Sequence, residues 1–303
     1  MIVDKIILRR VSDSFEISID SDQFSGYIPE QVDWGTIEGT HYTYKYPGQM
    51  GESLVSTSLG IRDDIKIVGW VVATTELEMT LLKKTLNGFI NPQEPLEILY
   101  QDYVLQFSPD STVRYSINIS ENNEVICKFQ ITGVAHDPLF KDSSENSLLF
   151  ATTHEMFHFP LIISPDLEEG GVIFGARTDS LIADVVNKGD VSTGLRIVFR
   201  AKGTLKNPKL IKIDTQESIS IQKTLVAGEE VEINTNIGSK YVIGRLSETS
   251  EYTNYFVYRT LDSKWLDLSP GKNSFRYNAD DGIDNLEVFI YFQDKYLEVQ
   301  RCC

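Results

Sequence analysis

Between residues 187 and 201 the sequence passes from a cluster of turn residues to a two-residue alternation, and this limits the folds open to the second half of the chain. Asn187-Lys-Gly-Asp190 and Thr193-Gly194 supply the turns, because glycine tolerates positive φ and Asn or Asp side chains bond their own backbone. Beyond them Leu195, Ile197, Phe199 and Ala201 face one way, while Arg196, Arg200 and Lys202 face the other. That is the period of a half-buried strand. A second turn cluster, from Gly203 to Pro208, closes it. From Gly170 onward short stretches of this kind recur, and in the last of them Leu286, Val288, Ile290 and Phe292 share a face. Short strands with regular turn signals predict a β-sandwich or jelly roll.

The first half is also β-rich. Residues 15–19 alternate, residues 34–46 are rich in Thr, Tyr and Gly, and residues 65–72 are nearly continuous in apolar side chains. Such a run predicts a strand covered on both faces. One helix follows. Thr75-Glu-Leu-Glu78 is a capping box, and Leu77, Leu81, Leu82, Leu86, Phe89 and Ile90 recur at helical spacing. Asn91-Pro92 ends it, because proline disfavours helix in the residue before it. Strands are expected again at 96–100, 103–107, 113–119 and 124–134. The pattern breaks at Asp137-Pro138, and residues 141–146 are polar and charged. We therefore expect a first domain over 1–142, a bridging segment over 143–169 and a β-sandwich over 170–303.

The length of 303 residues fits two domains. A formal charge of −16 argues against nucleic acid as a ligand for the surface at large. The N-terminal residues mix Asp4, Lys5, Arg9 and Arg10 among apolar ones, without the apolar core of a secretory signal. Apolar runs such as 67–73 fall far short of the roughly 20 residues that span a bilayer. The expectation is synthesis and folding in a cytoplasm, with no membrane partner. Cys127, Cys302 and Cys303 do not make a disulfide framework and read as incidental thiols.

His154-Glu155-Met-Phe-His158 matches H-E-x-x-H, which on a helix would set two imidazoles on one face for zinc, with Glu as general base. Pro160 lies two residues beyond and opposes that helix. No histidine follows, and Asp166 or Glu168 would have to serve as third ligand. The motif reads as accidental, and no catalytic or metal residue is assigned. Asp280-Asp281-Gly282-Ile-Asp284 lacks the spacing of a calcium loop and reads as a turn before the strand at 286. His41 and His136 read as structural. No phosphate-binding, dinucleotide-binding or nucleophile-elbow motif is present, so no cofactor is expected. Trp265, Tyr252, Tyr255 and Tyr258 fit either a sugar platform or core and interface positions, and the second is favoured.

The ordered features resemble the distal tail proteins (Dit) of long-tailed bacteriophages. In the first half these are Arg62-Asp-Asp-Ile65-Lys-Ile-Val-Gly69, the helix ending in Ile90-Asn91-Pro92, and Phe129-Gln-Ile-Thr-Gly133 with Asp137-Pro-Leu-Phe140. In the second they are Asn187-x-Gly-Asp190, Gly203 with Asn207-Pro208-Lys-Leu210, Gly228-Glu229 with Ile233-x-Thr235, and Leu261-Asp-x-x-Trp265-x-x-Leu268-x-Pro270-Gly271-x-Asn273. The resemblance implies a mainly β protein. Its N-terminal domain would be a tail-tube-like β-sandwich with one α-helix, and its C-terminal domain a galectin-like β-sandwich. It further implies a virion protein that forms a hexameric ring between the tail tube and the tail-tip hub, holds receptor-binding proteins and lets DNA pass through its channel. The compact second sandwich carries no inserted sugar-binding module, and a galectin-like fold does not bring a galactose site with it. Two rival readings are a carbohydrate-binding protein using Trp265 and a zinc hydrolase at His154 and His158.

Overall fold

The computed structural model describes residues 5–21, 26–118, 120–149, 151–155, 175–179 and 181–299. The chain divides into two compact units. Met1–Ser144 and Tyr296–Cys303 form the first, and Glu145–Lys295 the second. In chain order the first contains β1 (Lys5–Arg10), β2 (Glu16–Asp20), β3 (Tyr27–Asp33), β4 (Thr36–Tyr44) and β5 (Ser53–Val72). Then come α1 (Glu76–Phe89), β6 (Leu96–Tyr100), β7 (Tyr103–Pro109), β8 (Arg114–Tyr115), β9 (Ile126–Ala135) and β10 (Phe140–Asp142). They form one antiparallel sheet in the order β2-β1-β6-β7-β9-β5-β3, with β4 added to β5, β8 to β9 and β10 to β7. Alternate residues of these strands, among them Ile6, Leu8, Ile17, Ile19, Ile98, Phe129 and Ile131, fill the core.

The helix is capped as its sequence dictates, with one shift. Thr75 is the N-cap, and its hydroxyl accepts from the Glu78 amide at 3.2 Å. Glu78 reaches back one residue further than a simple capping box requires, accepting from the Thr74 amide at 2.8 Å and from the Thr74 hydroxyl. These bonds, the hydroxyl's first, hold the Glu78 carboxyl below its usual pKa. The buried face is Met79, Leu86 and Phe89, with Leu82 packed beside them. Leu77 and Leu81 are exposed. The apolar stripe is therefore narrower than the sequence spacing indicates, and two of its leucines point away from the core.

The apolar run at 65–72 is the end of a 20-residue strand. From Arg62 to Val72, β5 pairs with β9, and β3 flanks it over residues 66–71. From Ser53 to Leu59 its pairing is with β4. The β4–β5 hairpin thus leaves the sheet as a two-stranded arm. At its base Arg62 is buried, and its guanidinium donates to the carbonyls of Pro138 (2.8 Å), Trp34 (3.1 Å) and Leu297.

The second unit begins with β11 (Asn146–Leu149), β12 (Ala151–Glu155), β13 (Gly175–Asp179), β14 (Ile182–Asn187), β15 (Thr193–Gly194), β16 (Arg196–Ala201), β17 (Leu205–Lys206), β18 (Lys209–Lys212) and β19 (Ser218–Ser220). It continues with β20 (Thr224–Leu225), β21 (Glu230–Asn234), β22 (Tyr241–Arg245), β23 (Thr253–Asn254), β24 (Asp267–Leu268), β25 (Gly271–Asn278) and β26 (Leu286–Phe292). A six-stranded sheet, β11-β26-β16-β21-β22-β23, and a four-stranded sheet, β14-β25-β18-β19, supply its two main layers. Their inward residues share one core, with Ile197, Phe199, Val231, Ile233, Val288 and Ile290 from the first sheet and Val185, Leu210, Ile219, Phe275 and Tyr277 from the second. Leu195, Ile197, Phe199 and Ala201 are all buried, as their alternation predicts.

The unit boundaries differ from the sequence-based ones at two places. Residues 146–149, expected in the bridging segment, are a strand of the second unit paired with β26. The last strand, β27 (Lys295–Tyr296), pairs with β10, and Tyr296 and Val299 join the first core rather than ending the sandwich. No helix among the described residues is long and apolar enough to cross a membrane.

Candidate functional site

The outward face of the six-stranded sheet is crossed by rows of charge. Register places Glu287, Arg200, Glu230 and Arg245 side by side on four neighbouring strands. Arg200 donates twice to one oxygen of Glu230, at 3.0 and 3.2 Å. Arg245 (3.1 Å) and the Tyr252 hydroxyl (3.0 Å) take the other oxygen. Lys202 pairs with Glu287 at 2.5 Å. Glu230 and Glu287 are consequently buried although they project from the outer face.

Four residues along each strand, a second row holds Tyr291, Arg196, Asn234 and Tyr241. The Arg196 guanidinium stacks 4.0 Å from the Tyr291 ring centroid and bonds Glu145 through two nitrogens. That bond with Glu145, then the nearby charges, raises the Arg196 pKa. Burial, then the hydrogen bond to Glu232, pushes the Tyr241 phenol up to about 12. Opposite charges facing each other across strands stabilise a sheet, and here they leave its carboxylates already engaged. A groove of about 500 Å³ at the margin is lined by Arg200, Lys202, Glu230, Ser247 and Thr249.

The aromatic candidates do not form a platform. Tyr255 is buried, donates to Glu229 at 2.9 Å and packs edge-on against Tyr258 at 5.3 Å. Glu229, itself buried, also accepts from Lys223 (2.5 Å) and from the Val226 amide (3.1 Å). Burial alone would lower the Lys223 pKa, but the bond and charge of Glu229 outweigh it and raise it. Tyr252 is tied to Glu230. Trp265 packs against the core, with Arg259 at 4.8 Å and Lys240 at 5.4 Å from its ring.

Among the residues that carried the sequence resemblance, Asn187, Gly189, Gly271 and Asn273 build turns. The Asn187 side chain is buried, donates to the carbonyls of Val191 (3.0 Å) and Leu268 (2.9 Å), and accepts from the Gly189 amide (2.8 Å). A Cβ on Gly189 would stand 2.4 Å from the Lys295 carbonyl oxygen. The Asp190 amide donates to that same oxygen at 2.9 Å. Asn273 closes the Pro270-Gly271 turn, accepting from the Ser269 amide (3.0 Å) and donating to the Ser269 (2.7 Å) and Gly271 (3.0 Å) carbonyls. Gly271 takes a φ of 89°, in the left-handed region that favours glycine.

The remaining candidates scatter. His154 and Glu155 lie in β12, laddered to Ala176 and Gly175. His158, Asp166, Glu168, Cys302 and Cys303 lie outside the described residues. Asp280 accepts from the Asn207 side chain at 2.6 Å, and the Lys206 amide bonds the Asp281 carbonyl at 2.9 Å, which makes this acidic cluster part of a turn. His41 is exposed on β4 and His136 follows β9. Among the described residues no three His, Cys, Asp or Glu side chains gather as metal ligands. The surface that sequence reasoning missed is the β4–β5 arm, where Tyr42, Tyr44, Tyr46, Met50, Leu54, Val55, Leu59 and Ile61 are all exposed. The apolar residues between its serines and threonines were the available signal.

Comparison with known proteins agrees with this architecture. The family described as "Phage tail protein RIFT-related domain" matches residues 14–132. The family "Siphovirus-type tail component, C-terminal domain" matches residues 188–296. The crystal structure of SPP1 Dit, titled "a Paradigm of Hub Adsorption Apparatus in Gram-positive Infecting Phages", is similar with a TM-score of 0.64 at 10% identity, over 96% of this chain and 99% of that one. A chain of the phage P2 baseplate in its activated conformation with Ca is similar with a TM-score of 0.50 at 12% identity, over 97% of this chain and 99% of that one. At these identities the likeness is one of fold. No curated protein matches the chain.

Proposed function

The chain belongs to the siphovirus-type distal tail protein (Dit) family, and from that membership we propose that it assembles as a hexameric ring joining a phage tail tube to the tail-tip hub. Its role in the tail or baseplate is structural. The observation that carries the proposal is that two tail-protein families match in order, one on each compact unit. In this reading the first unit builds the ring, and the second faces outward, where hub and receptor-binding proteins attach. DNA crosses the channel without specific binding, because the net charge of −16 disfavours phosphate adhesion. A charge-reversed channel that still ejected DNA at the normal rate would remove that last element. No catalytic step or cofactor is part of the proposal.

Light scattering on the full chain, followed by negative-stain imaging, tests the ring. Six copies of the 34.3 kDa chain in six-fold particles are expected. A monomer at every concentration would refute the ring.

A further inference from the structure

We propose that the β4–β5 arm of one copy docks on the exposed leucine face of α1 in a neighbouring copy, an inference that rests on the ring reading above and names its contact. The arm is the largest exposed apolar feature among the described residues of the first unit. Its eight apolar side chains are between 44% and 100% exposed. A two-stranded ribbon is marginal in water on its own. This one extends nine residues of β5, from Ser53 to Ile61, beyond the strand's pairing with β9, about 30 Å at strand rise. It is nearly free of charge. Over residues 39–61 Lys45 and Glu52 are its only Lys, Arg, Asp or Glu, in a chain of net charge −16. Copies so strongly acidic repel one another, so their contact is favoured where that charge is missing.

The same unit carries a second, different apolar surface. Leu77 and Leu81 lie one turn apart on α1, with Ile117, Val125 and Ile126 exposed on the neighbouring β8–β9 segment. That segment is fixed to the helix by Lys83 on Asn122 (3.1 Å) and by Tyr115 on the Lys83 carbonyl (3.3 Å), and to the residues before the helix by the Ala73 amide on the Val125 carbonyl (2.9 Å). Each surface is exposed in the single chain, so neither covers the other. Two unlike patches on one unit are what a heterologous contact needs, and such contacts close into rings when the rotation permits. The arm's side chains amount to roughly 800 Å² of apolar area, close to the share each partner contributes to a stable interface.

The test uses two variants of the full chain. The arm variant carries Leu54→Ser, Val55→Ser and Leu59→Ser, with Tyr42→Ser and Tyr44→Ser as an independent second set. The helix variant carries Leu77→Ser and Leu81→Ser. All sites are exposed, and circular dichroism and Tm verify folding. If the proposal holds, wild type assembles, each variant scatters as a monomer, and mixing the two gives 1:1 dimers. Only the helix variant's arm and the arm variant's helix face remain to meet in that mixture. Two monomeric variants that stay monomeric when mixed overturn the arm-to-helix contact. Variants that assemble like wild type also overturn it, leave the ring intact and assign the arm to a different partner. A wild-type monomer at every concentration overturns both this contact and the ring.

Discussion

Replacing Arg62 with Met tests whether one buried cation holds the base of the arm. The side chain is 1% exposed, donates to three carbonyls from the residue after β3, the turn after β9 and the residues after β27, and lies 4.7 Å from the Phe140 ring centroid. Burial lowers its pKa, and the charge of Glu298 acts to raise it. Met keeps the length and the apolar stem but deletes three hydrogen bonds from a charged donor, each worth about 1.5–3 kcal/mol. Relief of the guanidinium's desolvation offsets part of that loss. Each carbonyl left without its donor costs about 1–3 kcal/mol, and after that offset we expect a net loss of about 3–5 kcal/mol. For a unit of this size it corresponds to a fall of about 10 °C in the Tm of the first unit. Calorimetry of the full chain reads it, with the transition of the second unit as internal reference. In a chain ending at Lys295 the Leu297 acceptor is gone, so the cost of Arg62→Met should shrink by about 1.5–3 kcal/mol. A loss below about 1 kcal/mol, or an equal loss in both backgrounds, would refute the clamp.

Two further outcomes follow from single groups. Burial pushes the Tyr27 phenol to about 12 from its usual 10.0, and its hydroxyl donates to the Leu82 carbonyl at 2.9 Å. The folded pKa lies above the unfolded one, so this stability is complete below pH 10 and is lost as pH rises toward 12, up to about 2–3 kcal/mol. Tyr27→Phe should flatten that part of the alkaline decline in urea midpoints, and an unchanged slope would count against it. Gly189→Ala should cost about 1–3 kcal/mol through overpacking against the Lys295 carbonyl. Urea unfolding of the second unit reads this, and a neutral result would show that the turn yields.

What the sequence disclosed was local. Helix capping involves residues within one turn, so Thr75 and Pro92 marked where α1 begins and ends. Strand alternation is equally local, and the Leu195–Ala201 face was readable without the fold. Apolar spacing gives the residues that share a helix face but not the arc that meets the sheet, so Leu77 and Leu81 were assigned to a contact that Met79 makes instead. Residues 53–60, rich in serine and threonine, carry no clear alternation because neither face of the arm is buried. Nothing local marks Arg62, which two aspartates follow, as buried. Its burial depends on Trp34, Pro138 and Leu297, which lie 28, 76 and 235 positions away. Glu230 was unreadable for the same reason, since Arg200 and Arg245 reach it through strand register. Asn187 was readable as a turn residue, and the structure adds its bonds to the Val191 and Leu268 carbonyls.

The two units differ in what they leave unsatisfied. In the second, Asn187, Thr235, Glu229 and Glu230 are buried, and each already has several internal partners. Turning any of them to a ligand would first break bonds whose loss costs about 1–3 kcal/mol per orphaned group. Such a unit is suited to keeping its shape under load rather than closing around a substrate. In the first, the arm leaves on the order of 800 Å² of apolar surface in water. At about 25 cal/mol per Å² that is a gross stabilisation near 20 kcal/mol, available only to an assembled form. Lost translational and rotational freedom consumes a large part of it. The surplus belongs to the assembly, so the arm should gain its stability from neighbouring copies rather than from the folding of one chain.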